Sequence, residues 1–153
     1  MSAPGDRLSD LGLTLPPVVP PVAAYVPAVQ AGEFVYTSGQ LPLVAGELPA
    51  TGKVGGAVTP EQAKEMARIC ALNALAAVDA VVGLDAVERI VKVVGFVASA
   101  PDFTGQPQVI NGASELLGEV FGDAGKHARS AVGVAELPLD APVEVEMIVQ
   151  VRT

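Results

Sequence analysis

Arg129 heads the run Arg129-Ser130-Ala131-Val132-Gly133-Val134-Ala135, and Val143-Glu144-Val145-Glu146 opens a second strand-like run shortly after. An arginine guanidinium is a flat fork of N–H donors that grips a carboxylate bidentately. The small residues Ala131, Gly133 and Ala135 leave its sheet face open to close approach. The strand expected beside it carries Glu144 and Glu146. Charges at the edge of an apolar sheet point to a small site for a carboxylate-bearing molecule, not to a broad binding surface. The same pattern also fits a cross-strand ion pair of Arg129 with Glu144 on a solvated face, and pattern alone leaves both readings open.

Other reactive residue types carry less. The stretch around Thr51-Gly52-Lys53 lacks phosphate-loop spacing, and Val54 stands where a magnesium-binding Ser or Thr belongs, so it reads as a loop. His127 is the single histidine, which rules out a two-histidine ribonuclease mechanism or a histidine-rich metal site within one chain. Its place beside Lys126 in a Gly-rich turn reads as surface or loop. Cys70 lies among Ala and Ile at helical spacing and reads as a core thiol rather than a nucleophile. Ser38 lacks a Gly-x-Ser-x-Gly frame, so a serine hydrolase is not indicated. Tyr25 fits equally a strand aromatic or a pocket wall, while Glu136 and Glu146 read as solvated charge.

With 9 basic against 17 acidic residues and a net charge of −8, the chain is poorly suited to nucleic acid, whose phosphates need clustered Lys and Arg. One cysteine excludes an internal disulfide and fits a reducing compartment. Met1 to Gly12 has acids and no apolar centre, and prolines interrupt the apolar stretch from Pro16 to Val29, so neither a signal peptide nor a membrane helix is expected. A cytoplasmic protein follows as the expectation. At 153 residues the chain is one domain, with a Pro-rich extended leader over 1–24 and the folded body over 25–153.

The elements that must position these residues follow from local signals. A short helical turn is expected over Leu8 to Leu13. Tyr25 to Val29 and Phe34 to Thr37 read as strands joined by hairpin chemistry at Gln30-Ala31-Gly32-Glu33, and a second turn falls at Ala45-Gly46. Thr59-Pro60-Glu61-Gln62 is a capping box that starts a helix running to Gly83. Ile90 to Ala98 is a strand, Pro107 starts a second helix, and two last strands follow the Gly-rich break at 122–125. The order β-β-(β)-α-β-α-β-β predicts an α+β layer with both long helices on one face of the sheet. In the last strand Val143, Val145, Met147, Val149 and Val151 should meet the helices. Glu144, Glu146, Ile148 and Gln150 then point the other way, and a half-apolar open face predicts self-association.

Taken in order, Tyr36-Thr37-Ser38-Gly39-Gln40-Leu41-Pro42, Asn111, His127-Ala128-Arg129-Ser130, Leu137-Pro138 and Val143-Glu144-Val145-Glu146 resemble the reactive intermediate deaminase (RidA, YjgF-like) superfamily. The resemblance runs from about Tyr25 to the C-terminus. The leader Leu15-Pro16-Pro17-Val18 and the segment Asn111-Gly112-Ala113-Ser114 look like a longer branch of it. It implies a chorismate-mutase-like fold, a homotrimer with clefts between subunits, and hydrolysis of 2-imino acids or enamines to 2-keto acids and ammonia. Carried over, Arg129 matches the arginine that binds the substrate carboxylate, and Glu144 the glutamate proposed to position the attacking water. Tyr25, Ser38, Gly39 and Asn111 match pocket positions. An imine carbon is already electrophilic, so no metal or cofactor is required. Ala131 departs from the cysteine that many deaminase members carry there, which bears on substrate identity. The alternatives are a non-catalytic keto-acid-binding trimer and, third, an endoribonuclease or translation inhibitor.

Overall fold

A computed structural model of the chain describes residues 3–21 and 24–152. Helix α1 (Pro4–Asp10) precedes strands β1 (Ala28–Ala31) and β2 (Phe34–Thr37), and the long helix α2 (Pro60–Val82) follows. Strand β3 (Val87–Ala98), helix α3 (Gln106–Phe121), strand β4 (Ala128–Val134) and strand β5 (Val143–Val151) complete the chain. The five strands form one sheet in the order β1-β2-β5-β3-β4. Every neighbouring pair is antiparallel except β3 and β4, which α3 joins as a parallel crossover.

Local chemistry accounts for most element ends. The Thr59 side chain accepts from the Gln62 backbone N–H at 3.1 Å, and Gln62 Oε1 accepts from the Thr59 backbone at 2.9 Å. Such a cap is worth about 1 kcal/mol. The hairpin between β1 and β2 is tighter than expected. Pairing extends through Ala31, so only Gly32 and Glu33 turn, and the positive φ of 61° at Gly32 suits a two-residue connection. Tyr25 consequently lies before the strand, not in it. The N-terminal helix also starts earlier than expected, at Pro4, because proline suits a first helical position. The bracketed third strand of the sequence reading survives only as isolated bridges, such as Val44 with Glu47 around Ala45-Gly46.

Both long helices cover one face of the sheet. Val143, Val145, Met147, Val149 and Val151 are buried there against Met66, Cys70, Leu75, Ile110, Leu116 and Leu117. Cys70 is part of this core, as expected, and burial pushes its thiol well up from the usual range. The helices cross at backbone contact: a Cβ on Gly112 would lie 2.0 Å from the Lys64 carbonyl oxygen. Only glycine fits there, and the close crossing sets the height of α3 over the sheet. The opposite face carries Phe34, Tyr36, Phe96, Val132 and Ile148 among Glu144, Glu146 and Gln150, as register and alternation require. No helix among the described residues is long and apolar enough to cross a membrane.

Candidate functional site

The sheet order corrects the first expectation about Arg129 and Glu144. Strand β3 lies between β4 and β5, so the two strands are not neighbours. Arg129 pairs in register with Val93, whose side chain faces the helices, whereas Glu144 pairs with Phe96 on the open face. Arg129 and Glu144 therefore stand on opposite faces, and no cross-strand ion pair forms between them. The room beside Arg129 is also used differently from expectation. Ala131 packs on the core, and the Gln106 side chain of α3 lies over Gly133, 2.9 Å from where a Cβ would stand.

Arg129 is half-buried at the edge of the sheet, tied to α3 by one end of its guanidinium. Nη1 donates to Asn111 Oδ1 at 2.8 Å and to Ser114 Oγ at 3.2 Å, and Nη2 makes a long 3.4 Å contact to the Pro107 carbonyl. Asn111 and Ser114 sit three apart and so share a helix face. Among the described residues no protein acceptor takes the Nε–H. The Nε and Nη2 donors run side by side, so the bidentate edge of the fork remains to grip a carboxylate. Ser114 and His127 were missed by sequence reading. His127 is not a bare loop residue but half-buried, with Nε2 2.9 Å from Ser114 Oγ and Nδ1 2.6 Å from the Gly125 carbonyl. Its place two residues before Arg129, hence on the same side of the chain, was the available signal.

Glu144 belongs to a second cluster on the other face. Thr37 Oγ1 accepts the Met147 N–H at 3.1 Å, and Gln40 pairs with Val145 through N–H to O contacts of 2.8 and 3.1 Å. Ser38 and Gly39 thus stand together opposite Glu146, a bulge in β2's continuation that lifts the backbone. A Cβ on Gly39 would lie 2.7 Å from Glu144 Oε2, so the carboxylate rests directly on this glycine. Tyr25, Gly39 and Glu144 line one cleft with Pro138 and the leader residues Val19 and Pro20. Its free interior of about 40 Å³ admits a water or two and no whole ligand. Ser38 does not line it. Its hydroxyl donates to the Val26 carbonyl at 2.5 Å and its N–H to the Pro27 carbonyl at 2.8 Å, pinning the segment that carries Tyr25. Burial, then the neighbouring Glu146, raises the Glu144 carboxyl above its ordinary range.

Because Gly39 has no barred backbone angle, alanine there should fail only through this contact. Gly39→Ala is expected to cost about 1–3 kcal/mol of stability in thermal denaturation. The loss should largely vanish in a Glu144→Ala background, since the clash is with that side chain. An equal loss in both backgrounds would show that the backbone is the obstacle.

The chain thus carries two polar clusters: Arg129 with Asn111 and Ser114 at the β4 edge, and the half-buried Glu144 carboxylate over Gly39 beside Tyr25. Known proteins share this framework. A family model described as Endoribonuclease L-PSP matches residues 17–151. Protein TCP17 of Trypanosoma cruzi is 45% identical over 150 residues, 95% of this chain and 92% of its own. The structure of protein Atu1372 from Agrobacterium tumefaciens superposes with a TM-score of 0.89 at 44% identity, covering 99% of this chain and 93% of that one. TdcF of Escherichia coli K12, which carries the provisional name reactive intermediate deaminase, is 34% identical over 83% of this chain and 86% of its own. The E. coli TdcF structure with bound serine matches at a TM-score of 0.65 and 29% identity, over 91% of this chain and 94% of that one. All five strands, Arg129 and Glu144 lie within residues 17–151 matched by the family model, and the chain belongs to the RidA/YjgF superfamily.

Proposed function

We propose that the protein is a hydrolytic deaminase of small 2-imino acids, acting as a homotrimer in which Arg129 of one chain and Glu144 of the next share a cleft. The carrying observation is the Nε–Nη2 edge of Arg129, which meets only a long 3.4 Å contact from Nη2 to the Pro107 carbonyl while Nη1 is held by Asn111 and Ser114. Such an edge fits a ligand carboxylate, and the serine bound in TdcF has one. Arg129 and Glu144 lie on opposite faces of one sheet, so a single chain cannot bring them to one small molecule. A neighbouring copy seated on the half-apolar open face would supply the missing half. Tyr25 and Gly39 would then wall the Glu144 side, Asn111 would steady the arginine, and Ser38 would hold the Tyr25 segment.

In this reading water adds to the imine carbon while Glu144 takes its proton. Glu144 passes that proton to the imine nitrogen, giving a neutral carbinolamine. Its hydroxyl proton then moves to the nitrogen as the C–N bond breaks, so ammonia leaves and the carbonyl of the 2-keto acid forms. Nothing is oxidised or reduced, and neither metal nor cofactor enters. The test is hydrolysis of 2-imino acids generated enzymatically from amino acids. Faster loss of the imine with the protein present supports the proposal, whereas keto-acid binding with no acceleration would leave a binding trimer instead. The endoribonuclease reading has weaker support, since one histidine and a net charge of −8 suit RNA cleavage poorly.

Assembly gives a separate expected result. Light scattering at micromolar concentration should return three times the 15.5 kDa chain mass. A monomer would separate Arg129 from Glu144 and end the shared-cleft reading.

A further inference from the structure

The network behind Arg129 runs in one direction. The Gly125 carbonyl can only accept, so His127 Nδ1, 2.6 Å away, must carry a proton. In the neutral ring Nε2 is then a pure acceptor, and the Ser114 hydroxyl at 2.9 Å must donate to it. That leaves the lone pairs of Ser114 Oγ facing Nη1 of Arg129 at 3.2 Å. Arg129 donates to Ser114, Ser114 to His127, and His127 to Gly125. Hydrogen bonds aligned in this way polarise and strengthen one another. The terminal carbonyl is itself fixed, because Gly125 lies against α3: a Cβ there would meet the Leu117 carbonyl oxygen.

We propose that Ser114 and His127 are positioning residues of the carboxylate site: a one-way relay, ended by the Gly125 carbonyl, that pins Nη1 of Arg129 and so presents its Nε–Nη2 edge to the ligand. This rests on Arg129 being the carboxylate-binding group. The bland alternative is a packed corner whose polar groups merely satisfy one another. The two differ in what His127 does to Ser114. Without the imidazole acceptor, the hydroxyl proton is free to turn toward Nη1, where it opposes the arginine's own donor. His127 therefore acts only through Ser114, whereas a packing role would make it act independently.

Two measurements decide the matter. The first needs no ligand. His127 is the sole histidine, so its imidazole nitrogen resonances are unambiguous, and the neutral ring should be the Nδ1–H tautomer. An Nε2–H tautomer would reverse the relay and overturn the proposal. The second is calorimetric binding of pyruvate and 2-oxobutanoate to the full chain. Ser114→Ala and His127→Phe should each weaken binding roughly three- to tenfold, the scale of one neutral hydrogen bond. Ser114→Thr, which keeps the hydroxyl, should restore it. The double variant should bind no worse than Ser114→Ala alone. Additive losses, or lowered melting temperatures with wild-type affinity, would reduce both residues to packing. Wild-type protein that bound neither keto acid while showing the Nδ1–H tautomer would remove the Arg129 reading and, with it, the relay's purpose.

Discussion

Arg129→Lys should weaken 2-keto-acid binding by roughly tenfold to a hundredfold, although the charge is kept. In the proposed site the arginine does two jobs with one planar group. Nη1 is spent on Asn111 Oδ1 and Ser114 Oγ at 2.8 and 3.2 Å, while Nε and Nη2 keep a parallel pair of donors for the ligand. A lysine ammonium is a point charge with no second edge, so it can serve the α3 acceptors or the carboxylate but cannot present a flat fork to both. A charge-assisted contact is worth about 1.5–3 kcal/mol, which sets the range of the expected loss. Arg129 is only half-buried and its α3 partners can turn to water, so melting temperature should move little. Calorimetry with pyruvate checks the affinity. Equal binding by both proteins would place the carboxylate elsewhere and withdraw Arg129 from the site.

Much of this arrangement can be read from local signals. Thr59, Gln62 and Gly83 bound α2 where the capping rules place it, and the alternation along β5 assigns Val143 and Met147 to the helices and Glu144 to the open face. Strand adjacency was not legible, because β4 and β5 are consecutive and joined by a short link, which reads as a neighbouring pair. Insertion of β3 between them comes from long-range pairing, with Gly95 opposite both Ala131 and Val145. The face of Arg129 depends on that register and so could not be derived from its own strand. His127 was missed for a related reason. A glycine-rich turn usually signals exposure, but Gly125 here carries the chain against α3, close enough that no side chain would fit. The Ser38-Gly39 bulge has a local signal in its glycine, yet its purpose depends on a carboxylate that arrives about a hundred residues later in the chain.

Glu144→Gln should slow imino-acid hydrolysis roughly a hundredfold, the usual scale for a lost general base, while leaving keto-acid binding nearly intact. The amide keeps the shape of the side chain over Gly39 but cannot take a proton from water. Stability separates this from a structural role. Had Glu144 been paired with Arg129, its removal would lower the melting temperature, but the two lie on opposite faces of the sheet. Burial, with Glu146 next in effect, instead raises the Glu144 carboxyl above its ordinary range. The folded protein therefore holds this proton more tightly than the unfolded chain. The stability linked to it is fully present below the usual carboxylate range and is lost as pH rises through the elevated folded value. At neutral pH the wild type carries a partly desolvated charge that glutamine lacks, so Glu144→Gln should melt at the same temperature or higher. That difference should close in acid. In the proposed mechanism hydrolysis needs the ionised form, so the wild-type rate should fall with decreasing pH along a limb lying above the ordinary carboxylate range. The glutamine variant should lack this limb. An unchanged rate in Glu144→Gln, whatever its melting temperature, would remove Glu144 from the chemistry.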